Sequence, residues 1–265
     1  MRDPLRFENV IGLFVLIASA FMFFPLLVTV LTSLDPRGLV GNLLIPGVSL
    51  RWYESFFAFG PFVTGLYTSV QLALTASVLA IAFSLPASLM LARRKFRGSV
   101  FLSTLFLSPL VVPGVVTGAA LLFFFFSLGL RNSLANLILA HTILVIPFAI
   151  RVLTSSLIGL DPSVEEAATS LGANYVQTFF RVTLPRIRAG LVATAVFTLA
   201  TSFQEVDASI FLSIGTTKPF PIVLLSYLRQ GFDPTVAAAS TIILLWSLSA
   251  ILILDRTLGL GKLVL

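Results

Sequence analysis

Thr194, Thr198, Thr201, Ser202, Glu205 and Ser209 recur at intervals of three, four, seven and eight within one apolar run. On a helix that spacing puts all six side chains on one face. Such a stripe faces water or a partner, and an ionisable group at membrane depth is a candidate for a transit path. Two readings of Glu205 are open: its carboxylate meets a cationic group in passage, or hydroxyls or a companion subunit satisfy it. Asp207 sits two positions on, about 200° round the helix, and either acid is also chemically able to carry protons. His141 is a lone imidazole, read as a hydrogen-bond partner for a backbone carbonyl or a neighbouring helix. Other chemistries lack their residues. With no cysteine and one histidine, there is neither a thiolate nor a multi-histidine metal motif. No G-x-S-x-G elbow occurs, so an embedded hydrolase would have very little from which to assemble nucleophile and base.

Composition sets the elements that must position these groups. Of 265 residues, 57% are hydrophobic and 11% charged, against about 25% charged in soluble domains. The sequence therefore predicts an all-α integral membrane protein set in a lipid bilayer. A helix needs about 20 apolar residues to cross the roughly 30 Å hydrocarbon layer. Six runs qualify: residues 10–34, 62–92, 100–128, 133–157, 187–212 and 235–254. The first is longer than the roughly 7–15-residue core of a secretory signal and is read as a retained span.

Lys and Arg are unevenly placed. Twelve fall on one side of these spans (Arg2, Arg6, Arg93, Arg94, Lys95, Arg97, Arg151, Arg181, Arg186, Arg188, Arg256, Lys262) and five on the other (Arg37, Arg51, Arg131, Lys218, Arg229). The richer side is expected to be cytoplasmic, with both termini and the 158–188 loop. In such a protein the distribution of Lys and Arg matters more than their excess, so the net charge of +6 is no argument for nucleic acid. On the outer side, Trp52, Tyr53, Phe56, Phe57 and Phe59 suit an interfacial helix. The segment bounded by Pro219, Pro221, Gly231 and Pro234 is too short to span and reads as a re-entrant or surface-lying turn of helix. Pro109, Pro113, Gly114 and Gly118, with Pro86 and Pro147, imply kinks that serve helix packing or a gate. No internal or inverted repeat is visible.

The cytoplasmic loop has its own pattern. Either Asp161 before Pro162, or Ser163 with Glu166 as a capping box, starts a helix. That helix should run to Leu171 and end at a left-handed Gly172. Asn174 is a second N-cap, and Val176, Phe179, Phe180 and Thr183 follow at helical spacing until Pro185 forces a break at Leu184. The prediction is a helix, a glycine elbow and a second helix. Ala167, Ala168 and Gly172 leave backbone open to close approach, while Tyr175, Val176, Phe179 and Phe180 load the loop with apolar surface. That surface either docks a partner or packs on the inner lipid face and the chain's own helices.

Glu166-Ala167-Ala168, three residues, Gly172, nine residues, Val182, one residue, Leu184-Pro185 resembles the EAA loop of ABC importer permeases, whose usual Ile is Val182 here. The flanking LSPLVVPGVVTGAALLFF, LAHTILVIPFAIR, TSFQEVDASIFL and KPFPIVLLSYLRQGFDPTVAAAST are similar to spermidine/putrescine-type permeases, so the resemblance covers roughly residues 93–254. An acid occupies the position matching Glu205 in that group. Gln204 stands where those permeases often have a second acid, and Thr68 where they often have Asn.

The resemblance implies a type I ABC importer permease fold with six transmembrane helices, in the bacterial inner membrane. It implies three kinds of partner: a second homologous permease subunit, a dimer of ATPase subunits, and a periplasmic or extracytoplasmic substrate-binding protein. Glu165, Glu166, Ala167, Ala168, Gly172, Tyr175, Phe179, Leu184 and Pro185 would then couple to the ATPase and transmit its closure to the fourth and fifth spans. Thr198, Thr201, Ser202, Glu205, Asp207 and Ser209 would line the substrate path. The chain would be no enzyme and bind no cofactor. It has no G-x-x-x-x-G-K-[ST], and Gly259-Leu260-Gly261-Lys262-Leu263 has the wrong spacing and no hydroxyl after Lys, so ATP and Mg²⁺ belong to the separate ATPase. Polyamines are the first expectation for cargo, followed by opines or amino acid derivatives, aminophosphonates and ferric iron. A proton-coupled secondary transporter is the remaining alternative.

Overall fold

Backbone N–H and C=O groups in hydrocarbon have no water to bond, so apolar runs of spanning length become helices that satisfy them internally. The computed structural model describes residues 4–39, 41, 43–93, 96–131 and 133–258, and among these there is no strand. Arg2, Arg94, Lys95, Lys262 and the 259–263 fragment lie outside the described residues. In chain order the helices are α1 (Pro4–Leu34), α2 (Arg51–Ala58), α3 (Gly60–Arg93), α4 (Ser99–Leu107), α5 (Gly114–Ser127), α6 (Ser133–Ile158) and α7 (Ser163–Ser170). There follow α8 (Tyr175–Thr178), α9 (Leu184–Arg186), α10 (Arg188–Phe203), α11 (Ser209–Leu212), α12 (Phe220–Leu228) and α13 (Thr235–Leu258).

Ile11–Leu34 of α1, α3 and α6 are each long and apolar enough to cross a membrane. Pro86 and Pro147 are carried inside α3 and α6 without ending them. The third and fifth runs are broken instead. Ser99–Leu110 meets Gly114–Ser127 at 99°, far more than a kink. Pro113 causes it: its extended backbone (ψ 134°) cannot continue a helix, and a proline ring disfavours the helical region at the residue before it. Tyr175–Arg186 meets α10 at 70°. Here the expected break at Leu184 is displaced. A π turn over Phe179–Thr183 widens the helix just where Pro185 withholds its N–H, α9 forms through the proline, and the break falls at Ile187.

The chain divides into two compact units. One comprises Met1–Val63 with Leu224–Trp246. In it the aromatics of α2 turn mostly inward: Phe56 is fully buried and stacks on Phe62 at 5.1 Å, while Phe57 stays 62% exposed. Trp52 Nε1 donates to the Asp35 carbonyl at 2.9 Å, and the Tyr53 and Ser33 hydroxyls share a 2.8 Å bond. Arg37, 2.8 Å from Asp35, holds that carboxyl below its ordinary range. The short α12, too short to span as expected, contributes Tyr227, which packs on Phe59 and Phe62 and donates to Asp233 Oδ2 at 2.7 Å.

The other unit comprises Thr64–Val223 with Ser247–Leu265 and holds both candidate sites. Its centre is the α6–α10 pair, with Leu72, Phe125, Leu137, Ala140, Ala208 and Leu212 forming one core cluster and Leu157, Leu160 and Ile187 another. Small residues let these helices approach, as association in lipid requires. A Cβ placed on Gly190 would lie 2.5 Å from Ser156 Cβ. Gly190→Ala should therefore cost roughly 1–3 kcal/mol through overpacking, and adding Ser156→Gly should recover most of it. Thermal unfolding of the purified chain in detergent reads both effects; a midpoint unmoved by Gly190→Ala would refute the close approach.

Candidate functional site

The 158–188 loop folds as the sequence predicts up to its glycine. Asp161 Oδ1 accepts the Ser163 N–H at 2.9 Å, starting α7, and this bond holds the Asp161 carboxyl below its ordinary value. At the other end Gly172 takes φ +90°. Its N–H bonds the Thr169 carbonyl at 2.9 Å and the Ala173 N–H bonds the Ala168 carbonyl at 3.1 Å, the paired closure of a Schellman motif. Asn174 and Gln177 then form a reciprocal capping box at 2.9 and 3.0 Å, starting α8.

Outward from this elbow point Glu166, Ala167, Gly172, Tyr175, Val176, Phe180 and Pro185, all exposed. Ala168, Phe179 and Leu184 are half-buried. Leu171 is the most exposed apolar side chain of the loop, at 89%, and sequence reasoning treated it only as a helix end. Glu165 turns the other way. Its carboxylate meets Arg93 at 3.0 Å and accepts the Thr183 hydroxyl at 2.7 Å. Arg93 had been read only as a topological charge, and no local pattern links two residues so distant in sequence. A cleft of about 1070 Å³ separates the end of α3 from the elbow, walled by Leu85, Leu89 and Met90 on one side and Thr169, Tyr175 and Phe179 on the other.

The second site lies where the fifth run breaks. α10 stops at Phe203, residues 204–208 form a turn, and α11 begins at Ser209. Glu205 and Ser209 are thus not on one continuous helix with Thr194. The buried hydroxyls of the stripe are used inside the chain. Thr198 pairs with Ser77 of α3, and Thr194 bonds its own helix at the Gly190 carbonyl, 2.6 Å away. His141 of α6 lies 2.8 Å from Ser202 Oγ through Nδ1 and 2.9 Å from Ser209 Oγ through Nε2, bridging the two sides of the break. Its structural reading from the sequence thus has two named partners.

Thr201 and Glu205 are half-buried, and Asp207 is exposed. Glu205 Oε1 accepts the Ala208 N–H at 2.9 Å, which shapes the turn. Asp207 lies against Gly114, the first residue of α5, where any Cβ would collide with its carboxylate. A Cβ on Gly118, one turn on, would come 2.7 Å from Ala208 Cα. The two bent pairs meet here; non-helical backbone within a membrane is tolerated where it is buried in protein or lines a cavity. Among the described residues no group of three or more His, Cys, Asp or Glu could hold a metal.

Comparison with known proteins agrees with this fold. The chain is 29% identical over 236 residues to the putrescine transport system permease protein PotI of Escherichia coli, covering 86% of this chain and 83% of that one. It is 27% identical to the spermidine/putrescine transport system permease protein PotC of Haemophilus influenzae, covering 91% and 93%. It is 31% identical to a Haloferax volcanii chain named "Probable molybdenum ABC transporter permease protein", covering 78% and 85%. In fold it is similar to a bacterial ABC transporter involved in alginate import, with a TM-score of 0.75 at 15% identity, over 98% and 97% of the two chains. The inward-facing MetNI methionine ABC transporter gives 0.63 at 20% identity, over 75% and 94%. Residues 84–257, which include both the elbow and the acidic break, match the family described as the binding-protein-dependent transport system inner membrane component, and the chain belongs to that family.

Proposed function

We propose that the chain is a permease subunit of an ATP-driven, binding-protein-dependent importer of polyamines in the bacterial inner membrane. Counting each bent pair as one span and α13 as another, six transmembrane helices cross with both termini cytoplasmic. The distribution of basic residues supports that orientation. The outer face of the elbow docks a subunit of an ATPase dimer, which binds the ATP and Mg²⁺. A second homologous permease completes the path, and a periplasmic or extracytoplasmic binding protein delivers the cargo.

The observation that carries this reading is the elbow: a capped helix–glycine–helix that exposes Leu171, Tyr175, Val176 and Phe180, on the side that the basic residues assign to the cytoplasm. A patch of that kind marks an interaction site. For the cargo, Glu205 and Asp207 stand at the break of the fifth span. Two carboxylates attract an ammonium and repel an anion, which favours the polyamines named for PotI and PotC over an anionic cargo. Proteoliposomes carrying the complete complex, with binding protein outside and ATP inside, should accumulate radiolabelled putrescine only when ATP is supplied. Putrescine movement by the purified chain alone, driven by a proton gradient, would sink the proposal.

A further inference from the structure

Arg93 is the last residue of α3, and its guanidinium reaches across the cleft into the elbow. Nε lies 3.0 Å from Glu165 Oε2, and Nη2 donates to Glu165 Oε1 at 3.3 Å. Nη1 donates to the Leu160 carbonyl, just past the end of α6, at 3.1 Å. Glu165 in turn accepts the Thr183 hydroxyl within the π turn that leads to α9. One arginine thus joins the end of α3, the end of α6, the helix α7, and the turn feeding α9 and α10. The two side chains are only 18% and 21% exposed, so solvent screens the pair less than a surface ion pair, and loss of either partner strands the other's charge. A guanidinium fork serves carboxylate and carbonyl together; an ammonium is a single point charge and does not.

Chain connectivity already ties the elbow to α6 and α10. For α3 there is no such tie: Arg93 and Leu160 are 67 positions apart. We propose that Arg93 is a positioning residue that makes α3 move with the elbow, so that displacement of α7 by the ATPase reaches three spans at once. The inference rests on the elbow being the ATPase-docking element. With the strut intact the two walls of the cleft travel as one body; without it α7 moves and α3 stays behind.

Hydrogen–deuterium exchange on the permease–ATPase complex in nanodiscs, nucleotide-free and trapped with ATP and vanadate, tests this without depending on the cargo. In the wild type, peptides covering 163–170 and 85–93 should both change protection on trapping. In Arg93→Met the change at 163–170 should persist and that at 85–93 should be lost, with Arg93→Lys between the two. The chain has no cysteine of its own, so Arg93→Cys with Glu165→Cys can be joined by a bismaleimide spacer. The response at 85–93 should then appear only after joining, a comparison that holds even if Arg93→Met fails to assemble. A wild-type-sized response at 85–93 in Arg93→Met, or in the unjoined double variant, overturns the strut and leaves the docking reading standing. No response at 163–170 in the wild-type complex overturns both.

Discussion

Glu205→Gln should reduce ATP-driven putrescine uptake by at least about tenfold while membrane insertion and subunit assembly persist. The size follows from electrostatics: a carboxylate about 4 Å from an ammonium is worth on the order of 4 kcal/mol at an intermediate dielectric, and each 1.4 kcal/mol is about tenfold. Gln is the informative replacement because it separates the bond that the structure shows from the proposed contact with cargo. One oxygen accepts the Ala208 N–H at 2.9 Å and shapes the turn between α10 and α11. An amide oxygen keeps that bond, so the turn survives and only the charge is lost. Glu205→Ala removes both and should also lower the unfolding midpoint. Uptake by Glu205→Gln at the wild-type rate, in a complex of normal composition, would remove this carboxylate from the path.

Gly172→Trp is expected to leave the spans inserted and to abolish ATPase co-purification. Two separable effects contribute. At φ +90° any L side chain is strained, at a cost of about 1–2 kcal/mol. Yet a Cβ there meets nothing of this chain within 4 Å, so the added bulk projects entirely outward. Asn tolerates the left-handed region better than other residues with a side chain, and Gly172→Asn should therefore retain much of the ATPase that Gly172→Trp loses. Co-purification of the full ATPase complement with Gly172→Trp would show that the elbow is not the joint.

Legibility from sequence followed the range of the interaction. The elbow was readable because its determinants are local: Asp161 caps two residues on, Asn174 and Gln177 cap each other, and Gly172 closes bonds within six residues. Its one misplaced feature, the break assigned to Leu184, depended on the π turn at Phe179–Thr183, which no residue pattern announces. The hydroxyl stripe keeps its helical period only as far as Ser202, because the helix ends at Phe203, and several of its hydroxyls bond within the chain. Thr198, Ser202 and Ser209 look like a water-facing row until Ser77 and His141 are found opposite them, 121, 61 and 68 positions away.

By itself, then, the sequence determined the class of molecule, its apolar runs, the sidedness expected from its basic residues, and the helix–glycine–helix of the 158–188 loop. Each of those rests on composition or on bonds spanning a single helical turn, where the chain has few alternatives. Only tertiary structure decided that the third and fifth runs are broken, that their breaks meet at Asp207 and Gly114, and that Glu165 turns inward to Arg93 while Glu166 stays out. Those outcomes are set by which side chains arrive opposite one another after packing. The buried hydroxyls and imidazole at the break bond the partners that the neighbouring helices bring opposite them, because a buried polar group left unbonded away from water is costly.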